Sequence, residues 1–285
     1  MKLTNISVIK DLMTRHGFTF SKSLGQNFLI NPSICPRMAG ATSILPSHDN
    51  EIVPRTVIEI GAGIGVLTRE LSKITEKVIV IEIDETLKPI LEETLADCDN
   101  VEIIWGDILK LNLNTMITEP VSVVANLPYY AATHIIMQLL ENGCLPVRSI
   151  TVMVQEEVAQ RFTALPGSKQ YGIVSVAARF YSYPKMLFKV SRGSFLPAPN
   201  VDSAVIRLDV FPEKQFDVDQ KAFFRLVKAA FSERRKQLCN PVSREFGIDK
   251  EVIKSALAAF GKNPATRAEE LSVEDFIELY ENISD

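Results

Sequence analysis

Residues 57–71 read V-I-E-I-G-A-G-I-G-V-L-T-R-E-L, and residues 78–84 read V-I-V-I-E-I-D. The first apolar run ends in three glycines at alternating positions, Gly61, Gly63 and Gly65. A helical pattern follows, and the second apolar run finishes on Glu82. Strand, glycine turn, helix and strand predict the opening unit of a nucleotide-binding α/β sheet. Glycine suits the turn because it adopts φ values closed to other residues and lets backbone N–H groups approach a ligand. Glu82 lies 21 residues after Gly61, where a strand-end carboxylate accepts both ribose hydroxyls.

Two further apolar runs, V-E-I-I-W-G-D (101–107) and V-S-V-V-A-N (121–126), predict strands that finish at Asp107 and Asn126. Ligands of open α/β sheets bind outside the carboxyl ends of the strands, so Gly61, Glu82, Asp107 and Asn126 are expected around one crevice. One polar residue at a strand end is most often a turn former; the weight rests on four in succession. S-I-T-V-M-V-Q (149–155) predicts a fifth strand, Glu156 to Phe162 a short helix, and 165–172 a loop. A-A-R-F-Y-S-Y (177–183), M-L-F-K-V (186–190) and A-V-I-R-L-D-V-F (204–211) read as further strands.

Upstream, Ile6, Ile9, Leu12 and Met13 have helical spacing and Gly17 ends the pattern. Residues 18–30 show no period. Asn31 and Pro32 supply an N-cap and a first-turn proline for a helix running towards Ser43, and residues 46–55 form a connector. Beyond Pro212 the chain reads as helix, near 219–239, 249–260 and 273–283, with Gly261 at a C-cap and a capping box from Ser272 to Asp275. The expected organisation is a Rossmann-like α/β domain over 1–212, with an N-terminal segment 1–45 capping its site, and a small α-helical domain over 213–285.

A chain of 285 residues with 46% hydrophobic and 23% charged composition is an ordinary globular protein. No apolar run approaches membrane-spanning length and no secretory h-region is present, so a cytoplasmic protein with no membrane partner is expected. Cys35, Cys98, Cys144 and Cys239 are scattered, which predicts free thiols; His16, His48 and His134 are isolated, which predicts no metal. A net charge of −4 argues against nucleic acid as a partner of the whole surface. One stretch departs from it. From 221 to 236, Lys221, Arg225, Lys228, Arg234, Arg235 and Lys236 stand against Glu233 alone, on a helix whose Phe223, Phe224, Val227 and Phe231 dock it. Such a run is usually a solvated face; here the cluster 234–236 is expected to meet phosphates.

The glycine turn departs from the dinucleotide fingerprint, which needs glycine or alanine where Val66 stands, and this disfavours a nicotinamide-dependent oxidoreductase. E-x-G-x-G-x-G, led by Glu59, resembles the cofactor motif of S-adenosylmethionine-dependent methyltransferases. Asn126-Leu127-Pro128-Tyr129 then acquires a chemical reading. An exocyclic base amine is a poor nucleophile because its lone pair is conjugated into the ring, so a site that methylates it must hold it with acceptors only. Asn126 offers a side-chain carbonyl, and Pro128 biases Leu127 towards a conformation that presents its own carbonyl. Tyr129 supplies a flat face for an extruded base. The plainer alternative is a proline turn capped by asparagine.

K-S-L-G-Q-N-F-L, E-I-G-A-G-I-G, I-E-I-D, G-D-I-L, N-L-P-Y-Y and F-L-P-A-P-N-V-D-S-A-V-I-R-L together resemble the rRNA adenine N6-dimethyltransferase family, as do F-S-E-R-R-K-Q-L and R-A-E-E-L-S in the tail. The resemblance covers nearly the whole chain. It implies a class I S-adenosylmethionine-dependent methyltransferase sheet, acting as a monomer on two adjacent adenines of 16S rRNA in the immature 30S subunit. It implies that Asn27, Leu29, Gly61, Gly63, Glu82, Asp107 and Asn126 hold the cofactor. Asn126, Leu127, Pro128 and Tyr129 would hold the target, with Phe195 stacking it opposite Tyr129. Relatives often carry T-P where Thr133-His134 stands and a basic residue at Cys239. The rivals are a sister group that methylates 23S rRNA and confers macrolide resistance, and an RNA-binding factor of small-subunit assembly.

Overall fold

The computed structural model describes residues 1–21, 24–42, 55–113, 117–141 and 146–284. Cys144, His48 and nearly all of the connector 46–55 lie outside them. The chain divides into two compact units: residues 1–159 with 183–212, and residues 160–182 with 213–285.

The first unit is built on a seven-stranded sheet. Its strands are β2 (Thr56–Ile60), β3 (Lys77–Glu82), β4 (Val101–Trp105), β5 (Val121–Asn126), β6 (Val147–Gln155), β7 (Ser182–Val190) and β9 (Ser203–Val210), in the order β4-β3-β2-β5-β6-β9-β7. β2 to β6 pair in parallel, and β9 runs antiparallel to β6. The near-continuous Val/Ile runs of β2, β3 and β5 follow from this position, because parallel strands are covered on both faces. β1 (Phe28–Leu29) and β8 (Phe195–Leu196) form a separate antiparallel pair. Helices α1 (Ile6–Arg15), α2 (Ile34–Thr42), α3 (Val66–Ser72), α4 (Lys88–Thr94) and α5 (Ala132–Glu141) complete the unit. Asn5 caps α1 through Ser7 N–H, and Gly17 follows its end at φ 61°.

Register brings the predicted strand ends together. β2 lies between β3 and β5, with Ile60 opposite both Ile81 and Ala125. Beyond the strands, Gly61 N–H bonds Ile81 O at 2.9 Å and Gly106 N–H bonds Glu82 O at 2.8 Å. The chain order reverses on either side of β2, which is where such sheets open a crevice.

The second unit is helical. The chain enters it within α6 (Glu156–Thr163), continues through α7 (Ile173–Tyr181), and returns with α8 (Gln220–Phe231), α9 (Cys239–Phe246), α10 (Lys250–Ala259) and α11 (Val273–Ser284). Phe180 of α7 stacks on Phe223 of α8 at 4.9 Å and meets Phe216 and Phe224 edge-on or tilted. The Ser272–Asp275 capping box forms, with bonds of 2.9 and 3.1 Å. Three expectations are corrected. Residues 177–181 are helical, because Val176, Ala177 and Phe180 bury one helical face against the aromatic cluster. Residues 160–182 belong with the C-terminal helices rather than with a continuous 1–212 domain. The helix expected over 219–239 stops at Phe231, since the chain turns there to bury Leu238, whose N–H bonds Thr266 O at 3.0 Å, before α9 begins at Cys239. Among the described residues no helix is long and apolar enough to cross a membrane.

Candidate active site

A cavity of about 230 Å3 opens at the carboxyl ends of β2, β3 and β5. The glycine turn forms its floor, and all three turn glycines have positive φ. At Gly65 a side chain is excluded twice: φ is 85°, and a Cβ would stand 3.0 Å from Leu95 Cδ2 and 3.2 Å from Thr94 Oγ1. At Gly63, φ is 57° and a Cβ would press the Phe28 ring at 3.4 Å.

Glu82 ends β3 with only 5% exposure. Its carboxylate accepts Asp84 N–H at 2.9 Å and Gly63 N–H at 3.3 Å, which ties the turn to the neighbouring strand. Burial raises its pKa and these two N–H groups oppose the rise. Asp107 accepts Leu109 N–H at 3.0 Å, a local turn that fixes its carboxylate at the cavity wall. Asn27 and Leu29 arrive from the N-terminal segment. Asn126 Nδ2 reaches the Asn27 carbonyl at 3.4 Å. That bond uses the amide's donor side and leaves Oδ1 as an acceptor in the cavity. Leu127 donates its N–H to Met153 O at 3.2 Å, and no backbone N–H among the described residues takes its carbonyl. Tyr129 is half-buried with its hydroxyl 2.7 Å from Ser203 Oγ, and burial raises its pKa.

The structure brings Asn27, Leu29, Gly61, Gly63, Glu82, Asp107, Asn126, Leu127, Pro128 and Tyr129 around this one cavity. It does not bring Phe195 there. Phe195 is 3% exposed, pairs with Leu29 across β1 and β8, and packs in the hydrophobic core; a ring so placed offers no face opposite Tyr129.

Several contributors had no individual role assigned from the sequence. Gln26 donates to Asp84 Oδ2 at 2.6 Å and accepts Ser21 N–H at 2.8 Å, latching the N-terminal segment to the end of β3. Ile83 lines the cavity at 50% exposure, an apolar side chain held open beside Glu82. Glu59, on β2, is wholly buried, and neither carboxylate oxygen has a hydrogen-bond partner. Burial, with Glu82 nearby, pushes its pKa up to about 8. Cys35 is buried beside it with its thiol pKa raised, an inert neutral group.

The lining has a definite charge. Glu59, Glu82 and Asp107 belong to it and no lysine or arginine does, among the described residues. A nicotinamide dinucleotide would bring a pyrophosphate dianion against Glu82 and Asp107, with no basic side chain in the lining among the described residues to offset it. Such a lining suits a cationic ligand better than an anionic one. Among the described residues no group of three or more side chains is arranged to hold a metal ion.

In the helical unit, Lys221, Arg225 and Lys228 of α8 and Arg244 of α9 border a second cavity of about 450 Å3. Arg225 is paired with Glu245 at 2.6 Å and lies 4.7 Å from the centre of the Phe246 ring. The expected phosphate-facing cluster 234–236 divides. Arg234 is exposed but engaged within the protein, bonding Glu269 at 3.0 Å, Lys169 O at 2.5 Å and Tyr171 O at 2.6 Å. Arg235 and Lys236 are exposed.

A family model described as ribosomal RNA adenine dimethylase matches residues 17–285. The chain belongs to the ribosomal RNA adenine dimethylase family. It is 43% identical over 281 residues to a Clostridioides difficile protein named ribosomal RNA small subunit methyltransferase A, covering 96% of this chain and 94% of that one. A Bacillus cytotoxicus protein of the same name is 45% identical over 280 residues, with 95% and 93% covered. Among solved structures, the 23S rRNA methyltransferase ErmE superposes with a TM-score of 0.71 at 25% identity, covering 91% of this chain and all of that one. A dimethyladenosine transferase from Plasmodium falciparum gives 0.72 at 24%, covering 88% and 95%. The fold of this dimethylase-family chain is that of the class I S-adenosylmethionine-dependent methyltransferases.

Proposed function

We propose that this protein transfers methyl groups from S-adenosylmethionine to N6 of two adjacent adenines in 16S rRNA, acting as a monomer on the immature 30S subunit in the cytoplasm. The observation that carries the reading is the acidic, cation-free cavity opening directly beside the unused acceptors of Asn126 and Leu127. The cofactor, when bound, supplies an electrophilic sulfonium methyl. Glu82 holds a ribose, Ile83 packs an apolar ring, and Asn27 and Leu29 close the site from the N-terminal segment. Asn126 Oδ1 and the Leu127 carbonyl accept hydrogen bonds from the adenine amine, which aims its lone pair along the line of transfer. Pro128 keeps the Leu127 carbonyl turned inward, and Tyr129 stacks the extruded base. The amine proton leaves to water. Because one acceptor bond suffices to orient the nitrogen, an adenine already carrying one methyl is accepted again. Lys221, Arg225, Lys228, Arg235 and Lys236 contact phosphates of the RNA.

The small-subunit reading is favoured over the 23S one because relatives named for the small subunit reach 43–45% identity, against 25% for ErmE. The test is methyl transfer to precursor small and large subunits, by wild type and by Asn126→Ala. Wild type modifies the small subunit alone. Asn126→Ala loses turnover by orders of magnitude while its RNA affinity stays within a few-fold. Turnover surviving in that variant refutes the amine-holding role, and modification of the large subunit alone refutes the substrate.

A further inference from the structure

Tyr129 and Tyr130 are consecutive, yet their surroundings are opposite. Tyr129 is half-buried and its hydroxyl is held by Ser203. Tyr130 is 68% exposed, its hydroxyl bonds nothing among the described residues, and its ring still belongs to the lining of the cavity. It therefore stands at the rim. The backbone of Gly25 runs alongside: a Cβ there would meet Tyr130 Cδ1 at 3.8 Å and Cε1 at 3.9 Å, ordinary contact distances. The N-terminal segment thus props the ring on one side and leaves the remainder open. A lone exposed aromatic on a surface needs no explanation. This one edges the cavity, next to the residue proposed to stack the target base.

A base drawn into the cavity leaves its neighbour in the RNA chain at the rim. We infer that Tyr130 is a second stacking platform, which takes the base adjacent to the target adenine while that adenine occupies the cavity. The inference rests on the adenine-methylating function proposed above. Stacking on a phenol ring needs only the π face that every base possesses, so the platform adds RNA affinity without reading sequence. With two adjacent target adenines, each serves as the neighbour of the other.

The experiment compares wild type, Tyr130→Ala and Tyr130→Phe on small subunits reconstituted with normal rRNA. It then repeats the comparison with an abasic ribose on the 5′ or the 3′ side of one target adenine, methylation being read at the remaining adenine. On normal rRNA, Tyr130→Ala raises KM for the subunit on the order of tenfold. Tyr130→Phe restores the wild-type KM, and the calorimetric affinity for S-adenosylmethionine is the same in all three. On one abasic substrate the wild type loses the same factor, and Tyr130→Ala loses nothing more. Additive losses, a wild-type KM in Tyr130→Ala, or a Phe variant as poor as Ala overturns the platform while leaving the reaction intact. A wild type that leaves adenine N6 unmethylated on normal rRNA overturns the reaction itself, and the platform with it.

Discussion

Glu59 provides the sharpest physical test of the site. It is an acid with no exposure, and burial pushes its pKa from the ordinary 4.5 up to about 8, with only the nearby Thr68 hydroxyl opposing the rise. The folded protein therefore keeps a proton between these values that the unfolded chain releases. Stability depends on pH through the difference in protons bound, and here the folded state binds more. Glu59 costs nothing below pH 4.5, where both states are protonated, and its cost grows as pH rises to about 8. At roughly 1.4 kcal/mol per pH unit, the full window corresponds to ~5 kcal/mol, and the part accumulated by pH 7 to about 3 kcal/mol.

Glu59→Gln keeps the shape and removes the titration. Urea unfolding of both proteins at pH 5, 6, 7 and 8 separates this group from all others, because the remaining titrations cancel in the difference. The variant is expected to gain on the wild type as pH rises, by about 1 kcal/mol or more per unit. Difference curves that are flat from pH 5 to 8 would falsify the buried, protonated acid.

Four further outcomes follow from the same geometry. Glu82→Ala should weaken S-adenosylmethionine by about 2–4 kcal/mol through two lost charge-assisted bonds, read by calorimetry; wild-type affinity in a folded variant removes the ribose assignment. Cofactor binding should release protons near pH 7, since a cation beside Glu59 favours its ionised form; calorimetry in two buffers of different ionisation enthalpy measures the release, and Glu59→Gln should abolish it. Arg234→Ala should destabilise the helical unit by about 1–2 kcal/mol with an unchanged salt dependence of RNA binding, because its bonds lie within the protein. Arg235→Ala with Lys236→Ala should instead flatten the log-affinity against log-salt slope by roughly 0.7–0.9 per lost contact, without loss of thermal stability; a steep slope retained in that double variant returns both residues to ordinary surface.

The central unit was legible because its signals are local. A glycine turn between two apolar runs has few other uses, and parallel pairing puts every strand end on one edge, so Gly61, Glu82, Asp107 and Asn126 met as expected. What escaped depends on partners distant in sequence. The aromatics of 177–183 favour a strand by composition, yet residues 177–181 are helical. They form a helix because Phe216, Phe223 and Phe224, some forty residues on, offer the surface that its apolar face covers. The charge run 221–236 looked continuous, and only the seat of Leu238 against Thr266 reveals the break after which Arg234 bonds within the protein. Phe195 belongs to a motif whose residues are easy to quote, but its burial is set by pairing with Leu29, 166 positions upstream. Ser203 and Gln26 were visible only as letters of such motifs; their bonds to Tyr129 and Asp84 give them work.

The charge of the cavity lining explains how a buried acid can stand at its wall. A buried carboxyl without partners weakens the fold at neutral pH, and replacing Glu59 by an amide removes that cost. Its persistence makes sense if the occupied site is the state that matters. Glu59 and Glu82 line one cavity that contains no basic residue among those described; burial raises the pKa of both, and Glu82 adds to the rise at Glu59. A net-positive ligand relieves this: its charge favours ionised acids that the empty cavity disfavours. An anionic cofactor would add to the same repulsion. On the proposed reading, the cost of burying these acids becomes selectivity, since a sulfonium-bearing ligand offsets part of it. On the same reading, loss of the sulfonium charge on methyl transfer withdraws that favour from the spent product.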